Sequence, residues 1–187
     1  GGQRMFGAVT VRWQTVAFRK FKLYTQELIG QTALTLPAQQ VNTTGLWLQP
    51  PADAIETTRV AGHKVYEALS GVRNLLTVAL PPLAMCDRYD IGGIVNSSQL
   101  GVSTIVLYDR YEGGVGYARH GYERSDELLK MAHELVAGCP CDNGCPGCVG
   151  PPNLRIAIHH DPDLGPGYAI PDKGATLTLL KAWLIRE

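Results

Sequence analysis

Four of the chain's five cysteines lie within ten residues, in the segment CPCDNGCPGC at positions 139–148. Pro, Gly, Asn and Asp separate them, and these residue types favour sharp turns. A segment that turns this sharply can bring four soft sulfur donors around one tetrahedral metal ion. The cluster therefore predicts a loop that is fixed by its own thiols, with Cys139, Cys141, Cys145 and Cys148 as metal ligands.

Zinc, an iron–sulfur cluster, two disulfides and a redox-active pair are the alternative interpretations of this segment. Disulfides are rare in cytosolic chains, and cysteines this close satisfy the required Cα separation with difficulty. A thioredoxin-like pair opens a helix after a strand, whereas Cys145 and Cys148 lie beside two further thiols and precede Pro151. The sequence alone does not distinguish a zinc site from an iron–sulfur cluster, because both use four thiolate ligands. We predict one zinc ion. Its role is structural, because four protein ligands leave no open position for catalysis.

The composition describes a globular domain without a strong overall charge. The chain has 187 residues, 45% of them hydrophobic, with 17 basic and 17 acidic residues and a pI near 7.1. This content is enough for one substantial core, and the balanced charge restricts any nucleic-acid contact to a local patch. The sequence lacks a run of about 18 apolar residues and a signal-peptide pattern, so we expect a cytoplasmic protein without a membrane partner.

The first part of the chain predicts strands followed by a long helix. Residues 6–25 are rich in strand-forming side chains and predict two strands, joined as a hairpin near Gln14, and a further strand covers residues 44–48. A helix then begins at a capping box formed by Asp53 and Glu56. Its apolar positions recur at steps of three and four until Pro81 and the following proline end it.

The second part of the chain predicts one more strand and two more helices. The apolar run at 102–109 has the length of a strand that lies centrally in its sheet, covered on both faces. Ser125 caps a helix that ends with Gly138 in a left-handed conformation. A loop at 149–171 leads to a last helix from Asp172. These elements predict an α+β fold, with a mixed β-sheet flanked by helices and a four-cysteine zinc knuckle.

Several stretches of the sequence resemble one family, the C-terminal MrfA-type Zn-binding domain (MZB) of superfamily 2 DNA helicases. The similar stretches are the cysteine knuckle, the helix with His63 that runs into LLTVALPPLAMCDRYDIGG, IVLYDRYEGGVGYARHGYE, and the lead-in TALTLPAQQVNTTGLWL. The resemblance covers nearly the whole chain. One departure is visible after the last cysteine, where the family often continues Ser-Pro-Lys-Cys-Gly-Asn and this chain has PPNLR at 151–155. The four cysteines themselves match the family's spacing.

The resemblance implies a single domain over residues 1–187. Lead-in strands occupy 6–48, the core occupies 53–138 and 172–187, and the zinc knuckle occupies 139–148. We expect a fragment of a longer protein, because Gly1 and Gly2 precede an internal-looking Met5.

The resemblance also implies a non-catalytic accessory domain of an ATP-dependent DNA helicase, of a DNA-repair or phage-defence type. Such a domain helps to position DNA or braces the motor domains of the same chain. The phosphate-loop pattern G-x-x-x-x-G-K-[ST] does not occur in the sequence, so ATP and Mg²⁺ belong to the parent motor alone. We expect no small-molecule substrate.

Three glycines, Gly113, Gly114 and Gly116, follow the strand that ends at Asp109. The pattern superficially matches a phosphate cradle at a helix N-terminus, but it lacks a Lys and a βαβ context. It predicts a tight strand-to-helix turn in which only glycine lets the backbones approach.

Four charged residues, Asp87, Arg88, Asp90 and Asp109, predict a partly buried Asp–Arg network that holds a loop to the sheet. The alternative is a metal-dependent nuclease or hydrolase in which the three carboxylates surround a divalent ion.

His63 is predicted to be a hydrogen-bonded core histidine on the long helix.

Three further groups have modest predicted roles. The segment HHDPD at 159–163 is interpreted as a solvated turn rather than a second metal site, and Cys86 as a small buried hydrophobe. His133 is a substitute metal ligand only if one thiol is displaced.

The segment AFRKFKLY at 17–24 interleaves cations with aromatic rings, which is the combination that single-stranded DNA binding uses. The alternative is an amphipathic strand with a solvated basic face. A protein-interaction module without DNA affinity is a third possible function for the whole domain. The predicted DNA contacts are Phe18, Arg19, Lys20, Phe21, Lys22 and Tyr24.

Overall fold

A computed structural model describes residues 2–25, 27–96, 102–150 and 171–185. These residues form six strands and five helices. The strands are β1 Gln3–Trp13, β2 Ala17–Phe21, β3 Leu28–Ala33, β4 Gln39–Gln49, β5 Ile91–Asn96 and β6 Thr104–Asp109. The helices are α1 Ala52–Val60, α2 Val65–Ala84, α3 Tyr117–Glu123, α4 Ser125–Gly138 and α5 Lys173–Leu184. Most of the predicted loop at 149–171, including the HHDPD segment, lies outside the described residues.

The main sheet has four strands in the order β1-β4-β6-β5, and β6 is the interior strand that the apolar run at 102–109 predicts. Every pairing in it is antiparallel. The parallel pair of a mixed sheet is therefore not found among the described strands. A parallel pair needs a long crossover connection, whereas β5 and β6 follow each other closely in the chain. The α+β class, with helices packed on the sheet, is confirmed.

The predicted hairpin between the first two strands is wrong. Strand β1 instead pairs with β4 over its whole length, from Gln3 opposite Gln49 to Trp13 opposite Gln39. Strand β2 pairs with β3 in a separate two-stranded sheet, which we call the arm, residues 17–33. Within the described chain, the two strands of the arm pack chiefly against each other. The arm therefore extends from the end of the β1–β4 ladder.

The predicted long helix is two helices, α1 and α2. Gly62 adopts φ +82° between them, a left-handed conformation that glycine reaches without strain. The predicted capping box is also wrong, because α1 begins one residue earlier with Pro51 as N-cap and no side-chain cap bond. Asp53 lies inside the first turn, where its carboxylate accepts from the N–H of Ala54 at 2.9 Å.

The end of α2 lies at Ala84, beyond the predicted stop at Pro81. Both prolines fall in the last turn of α2, so few of its backbone hydrogen bonds are lost. Met85 then adopts φ 53°, and the N–H of Cys86 donates to the carbonyl of Pro81 at 3.2 Å. This left-handed residue, rather than the prolines, terminates the helix.

Helix α4 has different ends from those predicted. Arg124 is its N-cap, and the hydroxyl of Ser125 instead accepts from the guanidinium of Arg4 at 2.9 Å. Gly138 is the last helical residue, and Cys139 follows in an extended conformation. The start of α5 is confirmed, because the Asp172 side chain caps it by accepting from the N–H of Ala175 at 2.6 Å.

The core lies between the sheet and the helices. Leu46, Leu48 and Leu107 of the sheet are fully buried, as are helix residues such as Leu76 and Leu128. The same cluster includes the end of the cysteine segment, residues 148 and 149. The knuckle is therefore packed onto the domain. None of the helices in the described ranges has the length and apolar character needed to cross a membrane.

Candidate metal centre and nucleic-acid interface

The four thiols of the knuckle converge on one point. The Sγ atom of Cys139 lies 3.5 Å from that of Cys141 and 3.7 Å from that of Cys145, and the Sγ atom of Cys148 lies 3.5 Å and 3.7 Å from the same two. All four atoms lie within 4.8 Å of one another. In the described part of the chain, this is the one group of three or more His, Cys, Asp or Glu side chains that is placed to hold a metal ion.

These separations fit zinc and do not fit disulfides. A tetrahedral zinc ion with Zn–S bonds of about 2.3 Å holds its sulfurs about 3.8 Å apart. A disulfide needs an S–S distance of about 2.05 Å, and the structure has these cysteines free. The donor set, four thiolates without imidazole or carboxylate, is one that zinc and iron–sulfur clusters use.

Two of the knuckle thiols have pKa values shifted in opposite directions. Side-chain hydrogen bonds with Cys148 and Cys139 lower the pKa of Cys145 to about 7. Burial, followed by hydrogen bonds to Cys148 and Cys139, raises the pKa of Cys141 to about 12. A metal binds the thiolate form, so ion uptake must displace the proton that Cys141 holds at neutral pH. Metal affinity therefore falls as the pH falls.

Local backbone geometry and neighbouring helices together position the knuckle. Gly144 and Gly150 adopt φ of +114° and +84°. A Cβ atom at Gly150 would lie 2.2 Å from the amide nitrogen of Asn74, which donates to the carbonyl of Val149 at 2.6 Å. Asn74 on α2 and Lys173 on α5 were not found by sequence reasoning, because their contacts join segments far apart in the chain.

The carboxylate of Asp109 occupies the anion-binding position of the glycine turn. It accepts from the backbone N–H groups of Val115, Gly116 and Ala118 at 2.7–2.8 Å. Asp109 is fully buried. Because the chain's own carboxylate takes the amides at the start of α3, the geometry favours the structural turn over a phosphate cradle.

The three glycines of this turn all have left-handed backbones. Gly113, Gly114 and Gly116 adopt φ of +76°, +74° and +101°. A Cβ atom at Gly114 would lie 2.2 Å from the hydroxyl of Thr44, so glycine is required there for close approach as well as for conformation.

The carboxylates of the predicted Asp–Arg network have other hydrogen-bond partners than Arg88. Asp90 accepts from the hydroxyl of Tyr111 at 2.5 Å and from the N–H of Asp87 at 2.9 Å. The hydrogen bond from Tyr111 lowers the pKa of Asp90. Within the described residues, the guanidinium of Arg88 lies over the ring of Tyr89 instead of pairing with a carboxylate. Backbone amides and a phenol satisfy the carboxylates, so no open metal site forms from them among these residues.

The remaining predicted residues have local roles. His63 lies in the turn after α1, not on the long helix, because Gly62 breaks that helix; its side chain is partly exposed, with Nδ1 3.9 Å from the carboxylate of Asp172. Burial raises the pKa of the half-buried Cys86, so this thiol stays protonated. His133 lies on α4 outside the cysteine cluster.

The predicted DNA-contact segment lies on the arm but is only partly a strand. Lys22 and Tyr24 follow the end of β2, where Lys22 forms an ion pair with Glu27 at 2.5 Å. Arg19 donates to the side chain of Gln31 at 3.0 Å, and the ammonium of Lys20 lies 5.5 Å from the ring centre of Phe18. The rings are exposed, from 39% at Phe18 to 92% at Tyr24. The arm thus presents cations and aromatic rings together on its surface.

Known proteins resemble this chain in sequence. A family profile described as "MZB: MrfA Zn-binding domain" matches residues 72–149. The uncharacterized ATP-dependent helicase YprA of Bacillus subtilis is 36% identical over 149 residues, which are 78% of this chain and 19% of that protein. The ATP-dependent helicase HRQ1 of Saccharomyces cerevisiae is 22% identical over 162 residues, 77% of this chain and 14% of HRQ1.

Solved structures also resemble this chain. A crystal structure of the DUF1998 helicase MrfA bound to DNA superimposes with a TM-score of 0.62 and 29% identity, over 97% of this chain and 22% of that protein. The chain thus spans about a fifth or less of the length of these relatives. The matched profile spans the cysteine knuckle, the carboxylate-capped turn, α3, α4 and most of α2, and it ends before α5. Residues 72–149 of this chain therefore match the MrfA Zn-binding (MZB) domain family.

Proposed function

We propose that Cys139, Cys141, Cys145 and Cys148 hold one structural zinc ion in a non-catalytic accessory domain of an ATP-dependent DNA helicase. The observation that carries the proposal is the convergence of the four Sγ atoms at separations of 3.5–3.7 Å. A bound zinc ion would crosslink the loop and, with four thiolate ligands, leave no position open for water or substrate. The role of the ion is therefore structural.

Elemental analysis of the purified chain tests this assignment. We expect one zinc atom per chain, with neither iron nor inorganic sulfide, after extensive dialysis in a reducing buffer. Four ligands from a short segment on a folded core bind zinc tightly, so the ion should survive dialysis. Iron with sulfide, or a folded and reduced sample without metal, would overturn the assignment.

We further propose that the arm contacts single-stranded DNA within the parent helicase. The related helicase MrfA has been crystallised bound to DNA. The arm carries Arg19, Lys20 and Lys22 against one acidic residue, Glu27, and its aromatic rings are exposed. Cations bind phosphates and rings stack on bases, each base worth about 1–3 kcal/mol. Because three phosphate contacts give a salt slope of only about −2, the isolated domain should bind weakly.

Charge reversal on the arm tests this contact. We expect the triple variant R19E/K20E/K22E to bind single-stranded DNA more weakly, with a salt slope closer to zero, in both the fragment and the parent protein. Fluorescence anisotropy at several salt concentrations measures both quantities. The matched control reverses three exposed lysines outside the arm, Lys64, Lys130 and Lys181, and so makes the same change in net charge. Equal losses in the two triple variants, or no loss in either, would remove the arm as a specific DNA contact.

The rival functions have less support from the geometry. A nuclease built on Asp87, Asp90 and Asp109 needs carboxylate oxygens that face a metal, but those of Asp109 face backbone amides. A pure protein-interaction module would hold zinc as proposed and show no arm-dependent DNA affinity, so the experiment above separates it. On the family resemblance of the sequence, we also propose a repair or phage-defence role and a cytoplasmic location for the parent helicase.

A further inference from the structure

The ammonium group of Lys173, the first residue of α5, is directed into the cysteine knuckle. Its Nζ atom donates to the carbonyl oxygen of Cys139 at 2.6 Å and to that of Cys141 at 2.5 Å. The backbone N–H of Lys173 donates to the carbonyl of Asn143 at 3.1 Å. One residue of α5 therefore contacts three residues of the knuckle, although it lies 34 residues after Cys139.

The start of α5 is a rigid support for this lysine. The carboxylate of Asp172 accepts from the N–H of Ala175, and the hydroxyl of Thr176 donates to the carbonyl of Asp172, both at 2.6 Å. Further along the helix, Leu179 and Trp183 are buried in the core. The lysine side chain is itself half-buried, so its position is set by packing as well as by hydrogen bonds. An ammonium group held in this way costs little further ordering when the ion binds.

The knuckle also has an electrostatic need for a cation. A zinc ion with four thiolate ligands carries a net charge of −2, and this charge lies in a half-buried loop. Hydrogen bonds from a charged donor to carbonyl oxygens are stronger than those from a neutral donor. Both carbonyls belong to proposed ligand residues, so the ammonium fixes the backbone that orients two of the four sulfurs.

We propose that Lys173 is a positioning residue of the zinc site, which holds the first two ligand residues in place and compensates the negative charge of the zinc thiolate centre. The inference rests on the proposed zinc ligands. It also makes the knuckle and α5 one mechanical unit, since loss of the ion would loosen the carbonyls that Lys173 binds and so release the first turn of α5.

Zinc release to a chelator tests the role of Lys173. The zinc-loaded chain is mixed with excess EDTA. At intervals the protein is separated from the EDTA, and the zinc that is still bound to it is measured by elemental analysis. We expect Lys173→Met to release zinc at least ten-fold faster than the unmodified chain, which corresponds to about 1.4 kcal/mol. Lys173→Arg keeps the charge and should recover most of the retention. Lys181→Met, an exposed position on the same helix, should release zinc at the unmodified rate.

The outcomes separate this inference from the zinc assignment. If the unmodified chain holds no zinc, the proposed function fails. If it holds zinc and Lys173→Met retains it equally well, or Lys181→Met loses it equally fast, the positioning role is wrong.

Hydrogen exchange on the unmodified chain gives a second test that no folding defect can obscure. Removal of zinc should increase amide exchange in the knuckle and in the first turn of α5, at Ala175 and Thr176, with little change in β4 and β6. Increased exchange in the knuckle alone would show that α5 is independent of the ion and would overturn the coupling.

Discussion

Replacement of Cys148 by serine should abolish stoichiometric zinc binding and unfold the knuckle. Cys148 is 4% exposed and lies in the core cluster beside Val149, so the change removes a ligand and puts a hydroxyl into an apolar site. A loss of about 4 kcal/mol of stability would lower the thermal midpoint by about 8–16 °C for a chain of this length. Elemental analysis and thermal unfolding followed by circular dichroism measure the two effects.

The chain supplies its own control for this variant in Cys86. This thiol is half-buried and lies outside the knuckle, so Cys86→Ser should keep one zinc per chain. The core of the Cys148→Ser variant should still fold, because most of its buried residues, such as Leu46, Leu76 and Leu107, belong to the sheet and the helices rather than to the knuckle. Full zinc content in the Cys148→Ser variant, or equal zinc loss in both variants, would contradict the four-cysteine site.

The parts of the fold that depend on local sequence could be predicted. The four cysteines lie within ten residues, so their convergence needs only the turns between them. The apolar run of β6 and the capping residue Asp172 of α5 are likewise short-range signals. In contrast, the apolar spacing did not predict the break at Gly62. The buried positions of α1 and α2 follow one helical repeat across the four residues that separate the two helices. A periodic pattern indicates which face is buried but not whether the helix is continuous.

The parts that depend on long-range pairing could not be predicted. The β1–β4 ladder joins residues 26 positions apart at its closed end, Trp13 with Gln39, and 46 positions apart at its open end, whereas a hairpin between neighbouring strands satisfies the same alternating pattern. The partners of Asn74 and Lys173 lie 75 and 34 residues away. Asp109 was assigned to a network with Arg88 because both are charged, but its buried oxygens face backbone donors that only the folded turn brings together.

Replacement of Asp109 by asparagine should destabilise the domain far more than this conservative change suggests. One carboxylate oxygen accepts from the N–H groups of Val115 and Gly116 and from the hydroxyl of Thr44, and the other accepts from the N–H of Ala118. The amide group of asparagine has one oxygen, so its NH₂ must face at least one backbone donor. Losing one or two charge-assisted backbone bonds at about 1.5–3 kcal/mol each should lower the unfolding free energy by about 2–6 kcal/mol.

Urea unfolding of this variant, beside Asp90→Asn, separates the buried anchor from an ordinary surface carboxylate. Asp90 also accepts from one backbone N–H, but its second partner is the exposed hydroxyl of Tyr111, so its loss should have a much smaller effect. Both variants should keep their zinc, since neither residue contacts the knuckle. Equal unfolding midpoints for the two variants would show that the amides at the start of α3 do not need an anion. The glycine turn would then again be open to an external phosphate, and the interpretation of Asp109 as its internal ligand would be wrong.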